Sequence, residues 1–517
     1  MKNMKKIILA VCIALTFTNC NNEYLETPSL TQIAEGNFWQ SEKDAFLALN
    51  GVYSTLQSRS MYGGNLNGWQ GFPGFDNIGD NAFNQFKWEG PGVFMEGNLD
   101  PSNGPIEAIW LDLYRGIARV NAVIKNVDVI SDDLVAPETK QALLGQALFL
   151  RSLMYFNLAV YFEDAPLITE PQTLETAYIP KNTYAEITEQ IIEDLKLAIE
   201  FLPATQPNDL YGYATKGAAL GLFARVQLYN KQYNGEFGVL ALTEQAMGLG
   251  YALHPNYGEL FTPENEKSSE IVFSIRFLRG DDSSNGEIFS GTFAGSPKVD
   301  QRPMPNLAND YYCTDGLPIT SSPLFNASSE RENRDPRATA TIYFTGDQYF
   351  VNPDRFLSNS PTKYGMKKYI RNSADAEGNR EFGEGSQDFY VIRYADILLM
   401  RAEALAETGD VSGAAAMVDE VRDRVGMPSV EDVEGSVNQQ QMITIVRHER
   451  RVELALEGLR FMDLKRWGLV EEAFNRAIAD PVGPYNPQYQ GGKSEVFPIP
   501  QSEIDVNDQL KQNSVWL

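Results

Sequence analysis

Histidine and cysteine are nearly missing: the 517 residues hold two His and three Cys. That leaves very little material for a His/Cys zinc site, a Cys-His nucleophile pair or a Ser-His-Asp triad. Positive charge is also short, with 43 Lys plus Arg against 69 Asp plus Glu and a net charge of -26. A general phosphate-backbone binder needs a basic footprint, so this balance argues against nucleic acid. Beyond the N-terminus no stretch approaches the roughly 18 uninterrupted apolar residues of a transmembrane helix. What remains is globular in composition, 43% hydrophobic and 22% charged. At roughly 150 residues per domain, the length is enough for about three domains with sizeable cores.

The first residues form an export signal. Lys2, Lys5 and Lys6 precede an apolar run from Ile7 to Phe17, and Cys20 follows at once. The run is too short to span a membrane as a stable helix but has the layout of a signal peptide. Cys20 stands where a bacterial lipoprotein is cut and lipidated, which makes 1–19 a lipoprotein signal. Asn19 is bulkier than the usual small residue before the cut, so an ordinary secretory signal cleaved nearby is the alternative. Removing 1–19 takes three lysines and no acid, moving the net charge from -26 to -29. Cys12 leaves with the signal, and with Cys20 lipidated Cys313 is alone, so no internal disulfide is expected. Cys313, in NDYYCTDG, reads as an inert buried thiol.

Helical periodicity dominates two blocks. Ile106, Trp110, Leu113, Ile117, Val120, Ile124 and Val127 recur at spacings of three and four, which makes one apolar stripe. A second helix is expected over about 137–162, with Arg151 on its apolar side. A third opens on Thr183-x-x-Glu186, a capping-box pattern, and a fourth covers about 215–230. After an interruption, DFYVIRYADILLMRAEALAETGD predicts a helix with Val391, Ala395, Leu398, Ala402 and Leu405 on one stripe. Helices over about 412–425 and 440–456 follow. Short turns and small residues at the contacts suggest tetratricopeptide-like pairs without a regular 34-residue period. Between the blocks, EIVFSIRF (270–277) alternates like a strand and IYF (342–344) reads as another. The resulting division is 20–254 helical with an aromatic loop at 61–104, 255–387 loop-rich, and 388–517 helical.

The aromatic loop carries the most suggestive chemistry. Its 44 residues hold ten Gly, seven Asn and eight aromatics, 18% aromatic against 11% for the whole chain. Aromatic faces stack on sugar rings while amides and carboxylates bond the hydroxyls. The candidate ligand contacts are therefore Trp69, Trp88, Phe72, Phe75 and Asn81 in this loop, joined by Tyr311 from the loop-rich region 255–387, with the two tryptophans preferred as the exposed ones. The competing reading is that these rings pin the loop to the helices. In RHERRVELALEGLRFMDLKRWG, Glu449 falls between Ile445 and Val452 on the apolar side. Same-helix Glu with interleaved Arg reads as a partly buried ion-pair network locking helices together rather than a catalytic carboxylate pair. His254 and His448 are isolated, and no metal site is expected from them.

Together these motifs resemble the SusD/RagB family of surface lipoproteins. The matching pieces are CNNEYLETPS, FWQSEKDAFLALNGVYSTL, ALFLRSLMYFNLAVYFEDAPLI, TYAEITEQIIEDLKLAIEFLP and TKGAALGLFARVQLYN in the first half. In the second half they are NRDPRATATIYF, RYADILLMRAEALAETGD, VDEVRDRVGMP, HERRVELALEGLRFMDLKRWG and FPIPQSEIDVNDQLKQNSVW. The resemblance implies a mainly α fold, with tetratricopeptide-like pairs forming a right-handed scaffold and a loop-rich irregular part with short strands. It further implies a non-enzymatic protein on the outer face of the outer membrane, anchored through Cys20. Such a protein would act as the lid of a SusC-like TonB-dependent transporter that imports oligosaccharides or, alternatively, peptides. No cofactor is implied, and loop carboxylates and carbonyls leave room for a structural calcium ion. The family's ligand contacts follow no shared motif, so none transfers to Trp69 or Trp88.

Overall fold

The computed structural model describes residues 38–517 apart from 65–70, 85–91, 208–209, 280–285, 291–300, 345–346, 348–360, 370–384, 481 and 483–484. The expected signal peptide 1–19, Cys20, Trp69 and Trp88 lie outside the described residues. The first helical block comprises α1 (Glu42–Leu56), α2 (Gly104–Val129), α3 (Pro137–Phe162), α4 (Tyr184–Phe201), α5 (Lys216–Tyr229) and α6 (Val239–Met247). The second comprises α7 (Tyr394–Glu407), α8 (Val411–Asp423), α9 (Gln439–Glu453), α10 (Arg460–Trp467) and α11 (Val470–Ala479). Successive helices pack as neighbours, α2 on α3, α3 on α4, α5 on α6 and α7 on α8. The blocks also join directly, because α7 packs on α5 and α6.

Local chemistry accounts for the ends of these helices. Thr183 and Glu186 form the expected capping box on α4, each satisfying an orphan N–H of the other's turn. Thr215 caps α5 by accepting from the Ala218 N–H. From Leu143 onward α3 is buried on nearly every side. It is long and apolar enough to cross a membrane, yet 94% of its apolar window is enclosed by protein. A helix apolar all round is a core helix when other helices surround it. Arg151, on its apolar side, is neutralised there by a bidentate pair with Asp194 at 2.7 Å.

Three two-stranded antiparallel sheets interrupt the helices: β1 (Ala82–Asn84) with β3 (Gln301–Pro303), β2 (Ile271–Ile275) with β6 (Phe389–Arg393), and β4 (Ile342–Tyr343) with β5 (Gly365–Met366). β6 corrects one expectation. Val391 belongs to a strand and α7 begins only at Tyr394, because the aromatic and β-branched run FYVIR pairs with β2 and is covered on both faces, which suits a strand. β2 is likewise mostly buried rather than alternating. That pairing ties residues 271–275 of the loop-rich region to the start of the C-terminal block, and one hydrophobic cluster runs through all three sequence regions.

The charged segment at the end of α9 folds as the expected ion-pair network, fully enclosed. Glu449 receives Arg337 at 2.6 Å and Arg422 at 2.8 Å. Glu457 receives Arg393 and Lys368, each at 2.7 Å. A second cluster links Asp396 to Arg225 and Arg450, and Asp463 to Arg450 and Arg466. A third holds the aromatic loop: Asp80 is paired with Arg460 at 2.7 Å and Arg476 at 2.6 Å, and Asp76 accepts the N–H groups of Leu456 and Gly458. Leu456 and Gly458 both have positive φ, 64° and 75°, which turns those two N–H groups toward one carboxylate.

Candidate functional site

The four sequence candidates that fall on described residues are internal. Phe72 is ringed by Tyr62, Phe75 and Tyr161, with centroids 5.1, 5.0 and 5.6 Å away. Phe75 meets Tyr161 edge-on at 4.8 Å and Phe497 at 6.0 Å. Asn81 donates to Asp76 and accepts from Arg451 Nε at 2.9 Å, while Tyr311 is buried and its hydroxyl donates to the Val452 carbonyl. As the molecule stands, their faces and polar atoms are taken up by protein, and Phe72, Phe75 and Asn81 act as the pins of the loop. A Gly- and Asn-rich loop has no period to signal this; the partners arrive from Tyr161 and Phe497, far along the chain.

The loops that carry Trp69 and Trp88 share roots. β1 immediately precedes 85–91 and pairs with β3, which immediately follows 291–300. The Ile288 N–H donates to the Gly63 carbonyl at 2.7 Å, and Glu287 bridges Gly385. Gly64, at φ 72°, lies against Phe289, so close that an added Cβ would fall 2.9 Å from its nitrogen.

A separate open cleft of ≈ 400 Å³ lies between the end of α1, the segment 211–213 before α5, and the end of β2. Asn50, Tyr53, Ser54 and Gln57 line it from α1. Their i, i+3, i+4, i+7 spacing puts them on one helix face, while Ala45, Leu49, Val52 and Leu56 are buried in the core. Tyr213 meets Tyr53 edge-to-face at 5.1 Å, with Phe46 next to it at 6.1 Å. The Tyr53 hydroxyl is fixed by Gln146 and by the Ala214 N–H at 2.9 Å. The Tyr213 hydroxyl donates to Asn50, and that of Tyr211 to the Glu266 carbonyl. Burial raises the pKa of all three phenols, that of Tyr211 to about 12, so they remain neutral hydrogen-bonding groups at neutral pH.

Arg276 closes the cleft on the β2 side. Its guanidinium stands 4.6 Å over the Tyr211 ring, and Gly212 between the two tyrosines lets it lie there, since a Cβ at 212 would come 2.4 Å from Arg276 Cδ. Nε donates to Asp388 and Nη1 to the Tyr211 carbonyl, both at 3.3 Å. Behind it, Asp388 is fully enclosed and accepts the Phe277 N–H at 2.9 Å, and its own N–H donates to Glu266. Burial pushes both carboxyls above their ordinary range, and Asp388 raises Glu266 further. None of these lining residues was singled out in the sequence. The available signals were the second face of α1 and the Tyr-Gly-Tyr triplet.

Among the described residues no group of three or more His, Cys, Asp or Glu is arranged to hold a metal ion. His448 is half-buried, stacked on Tyr312 at 4.1 Å and bonded to the Asp310 carbonyl. Cys313 is a buried free thiol. What the cleft offers is tyrosine rings flanked by amides, hydroxyls and one guanidinium, the groups that hold a polar ring-shaped ligand.

Comparison with known proteins gives a consistent relationship. Residues 269–516 match the model described as SusD family, and 74–228 match the one described as starch-binding associating with outer membrane. The SusD-like protein P25 of Formosa agariphila is 27% identical over 543 residues, covering 99% of this chain and 98% of that protein. The crystal structure of a SusD-like carbohydrate-binding protein from Bacteroides fragilis superposes with a TM-score of 0.77 at 28% identity, covering 92% of this chain and 100% of the other. A laminarin-binding SusD-like protein gives 0.73 at 26% identity, covering 92% and 99%.

Proposed function

This chain belongs to the SusD/RagB family, and on that premise we propose that it is a cell-surface glycan-binding lipoprotein that captures oligosaccharides and passes them to a SusC-like TonB-dependent outer-membrane transporter. The observation that carries the binding half is the open cleft, in which Tyr53, Tyr211 and Tyr213 sit beside Asn50, Gln57 and Arg276. Stacking surface next to fixed donors and acceptors is what sugar recognition needs, and it requires no catalytic group. The carbohydrate-binding relatives of similar fold support the same reading. Trp69 and Trp88, outside the described residues, are proposed as further contacts. Attachment is through Cys20; several acyl chains at about 0.8 kcal/mol per buried methylene hold a protein firmly at a membrane.

The test is titration calorimetry against a broad glycan panel, with Tyr213→Ala alongside. Binding by at least one oligosaccharide, weakened on the order of tenfold by the loss of a stacking ring, is expected. No binding across the panel, with peptides binding instead, would move the cargo to the peptide class. Co-purification from detergent-solubilised outer membranes tests the handover, and absence of a barrel partner would count against it.

A further inference from the structure

Arg276 is held as a fork with one open edge. The Tyr211 ring supports its face, Nε and Nη1 are used on the Asp388 and Tyr211 side, and Nη2 has no protein partner among the described residues. The side chain is 41% exposed, whereas its counter-ion Asp388 is 0% exposed and sits behind it. The other cleft-lining residues are all uncharged, so the one formal charge presented to a ligand is positive. Lys267 adds a second cation 5.2 Å from the same tyrosine ring. Glu266 is next to this pair, but its side chain is turned to the Asp388 N–H at 2.7 Å, and its raised pKa reduces the charge it would set against the two cations.

A guanidinium fork matches the paired oxygens of a carboxylate or sulfate, and bonds of that kind are roughly twice as strong as neutral ones. Neutral hydroxyls would fill the same edge less well. The chain's net charge of -26 does not decide the matter, because beyond a Debye length of about 8 Å such repulsion is screened at physiological salt, while a direct contact is screened much less. Resting on the carbohydrate reading above, we infer that this cleft takes a sugar bearing a carboxylate or sulfate, its ring against the tyrosines and its anion on the free edge of Arg276.

The experiment measures affinities by calorimetry for two matched pairs: oligogalacturonates with their carboxyl-reduced forms, and sulfated galactan oligosaccharides with their desulfated forms. At least one anionic member should bind about tenfold more tightly than its neutral partner; which pair shows the preference distinguishes carboxylate from sulfate. Arg276→Gln should abolish that preference, the ratio of the two affinities within the pair being the quantity read. Arg276→Lys, which keeps the charge near Asp388 and loses the fork, should retain part of it, and it serves if the glutamine variant fails to fold. Equal binding within both pairs, or a preference unchanged in Arg276→Gln and Arg276→Lys, overturns the inference and leaves the carbohydrate reading standing. No binding by any sugar, charged or neutral, overturns both.

Discussion

Arg393 grips Glu453 twice: Nη1 lies 2.6 Å from the Oε1 carboxylate oxygen and Nη2 donates to the Glu453 carbonyl at 2.8 Å. Arg337 and Arg424 reach the same carboxylate at 3.0 and 2.6 Å, and every side chain involved is almost fully buried. One carboxylate therefore joins three guanidiniums drawn from β6, from the end of α8, and from the short helix Pro336–Thr341, with Asp335, Glu449, Glu270 and Glu457 supplying the rest of the balancing charge.

Glu453→Gln should be among the most damaging single substitutions in the chain. Removing one partner of a buried ion pair leaves uncompensated charge and typically costs about 3–5 kcal/mol. Urea unfolding should show the midpoint falling with little change in slope. A loss under about 1 kcal/mol would mean the cluster is hydrated and behaves as a surface pair.

Two groups of carboxyls should give stability opposite pH dependences. Burial alone would raise Glu453 and Asp396, but the arginines around them win, holding Glu453 well below its usual range and Asp396 at about 2. Their contribution is present above the unfolded values near 4 and is lost as pH falls through the folded ones. Glu266 and Asp388 are shifted upward, so their ionisation costs stability as pH rises from about 4 toward neutrality. Unfolding measured from pH 3 to 8 should show a steep acid limb, and Asp388→Asn should flatten the decline on the other side. An unchanged neutral limb in that variant would refute the assignment.

Two neighbouring tyrosines should answer differently to loss of the hydroxyl. Tyr155 accepts the Ile168 N–H at 2.6 Å and donates to the Ile168 carbonyl at 2.9 Å, whereas the buried Tyr161 hydroxyl has no hydrogen-bond partner among the described residues. Tyr155→Phe strands the Ile168 N–H, while the carbonyl keeps its bond from Asn121, and should cost about 1–3 kcal/mol. Tyr161→Phe should be nearly neutral or stabilising, since its rings' stacking on Phe461 and Phe497 survives. Thermal unfolding of both variants decides, and equal losses would contradict the contrast.

Cys20→Ser should move the protein from the membrane pellet to the soluble fraction without altering glycan binding. Retention in the pellet after high-salt washing would argue against anchoring at that residue.

The scaffold was legible in the sequence wherever one local pattern decided the structure. Spacings of three and four located α2 and α3, the Thr183 box opened α4, and a glutamate inside the stripe of α9 announced its buried pairs. FYVIR misled because a short apolar run fits helix or strand until its partner is known, and β2 lies more than 110 residues away. The cleft was illegible for a related reason. Tyr53, Tyr213 and Arg276 belong to three separate segments, and none is unusual where it stands. The rings of Phe72 and Phe75 looked free only because their partners are remote.

The clasp on the aromatic loop sets an order of events. Asp80 has no described cationic partner before Arg451, and Asp76 is tied to Gly458, 382 residues downstream. Contacts of such sequence separation close late, because the loop entropy must be met first. The early helices can pair while the chain is still emerging, but residues 71–84 and the roots of the tryptophan-bearing loops wait for its last tenth or so. A truncated product would consequently hold a partly assembled scaffold without this clasp, so the segment 71–84 reports on completion of the whole polypeptide.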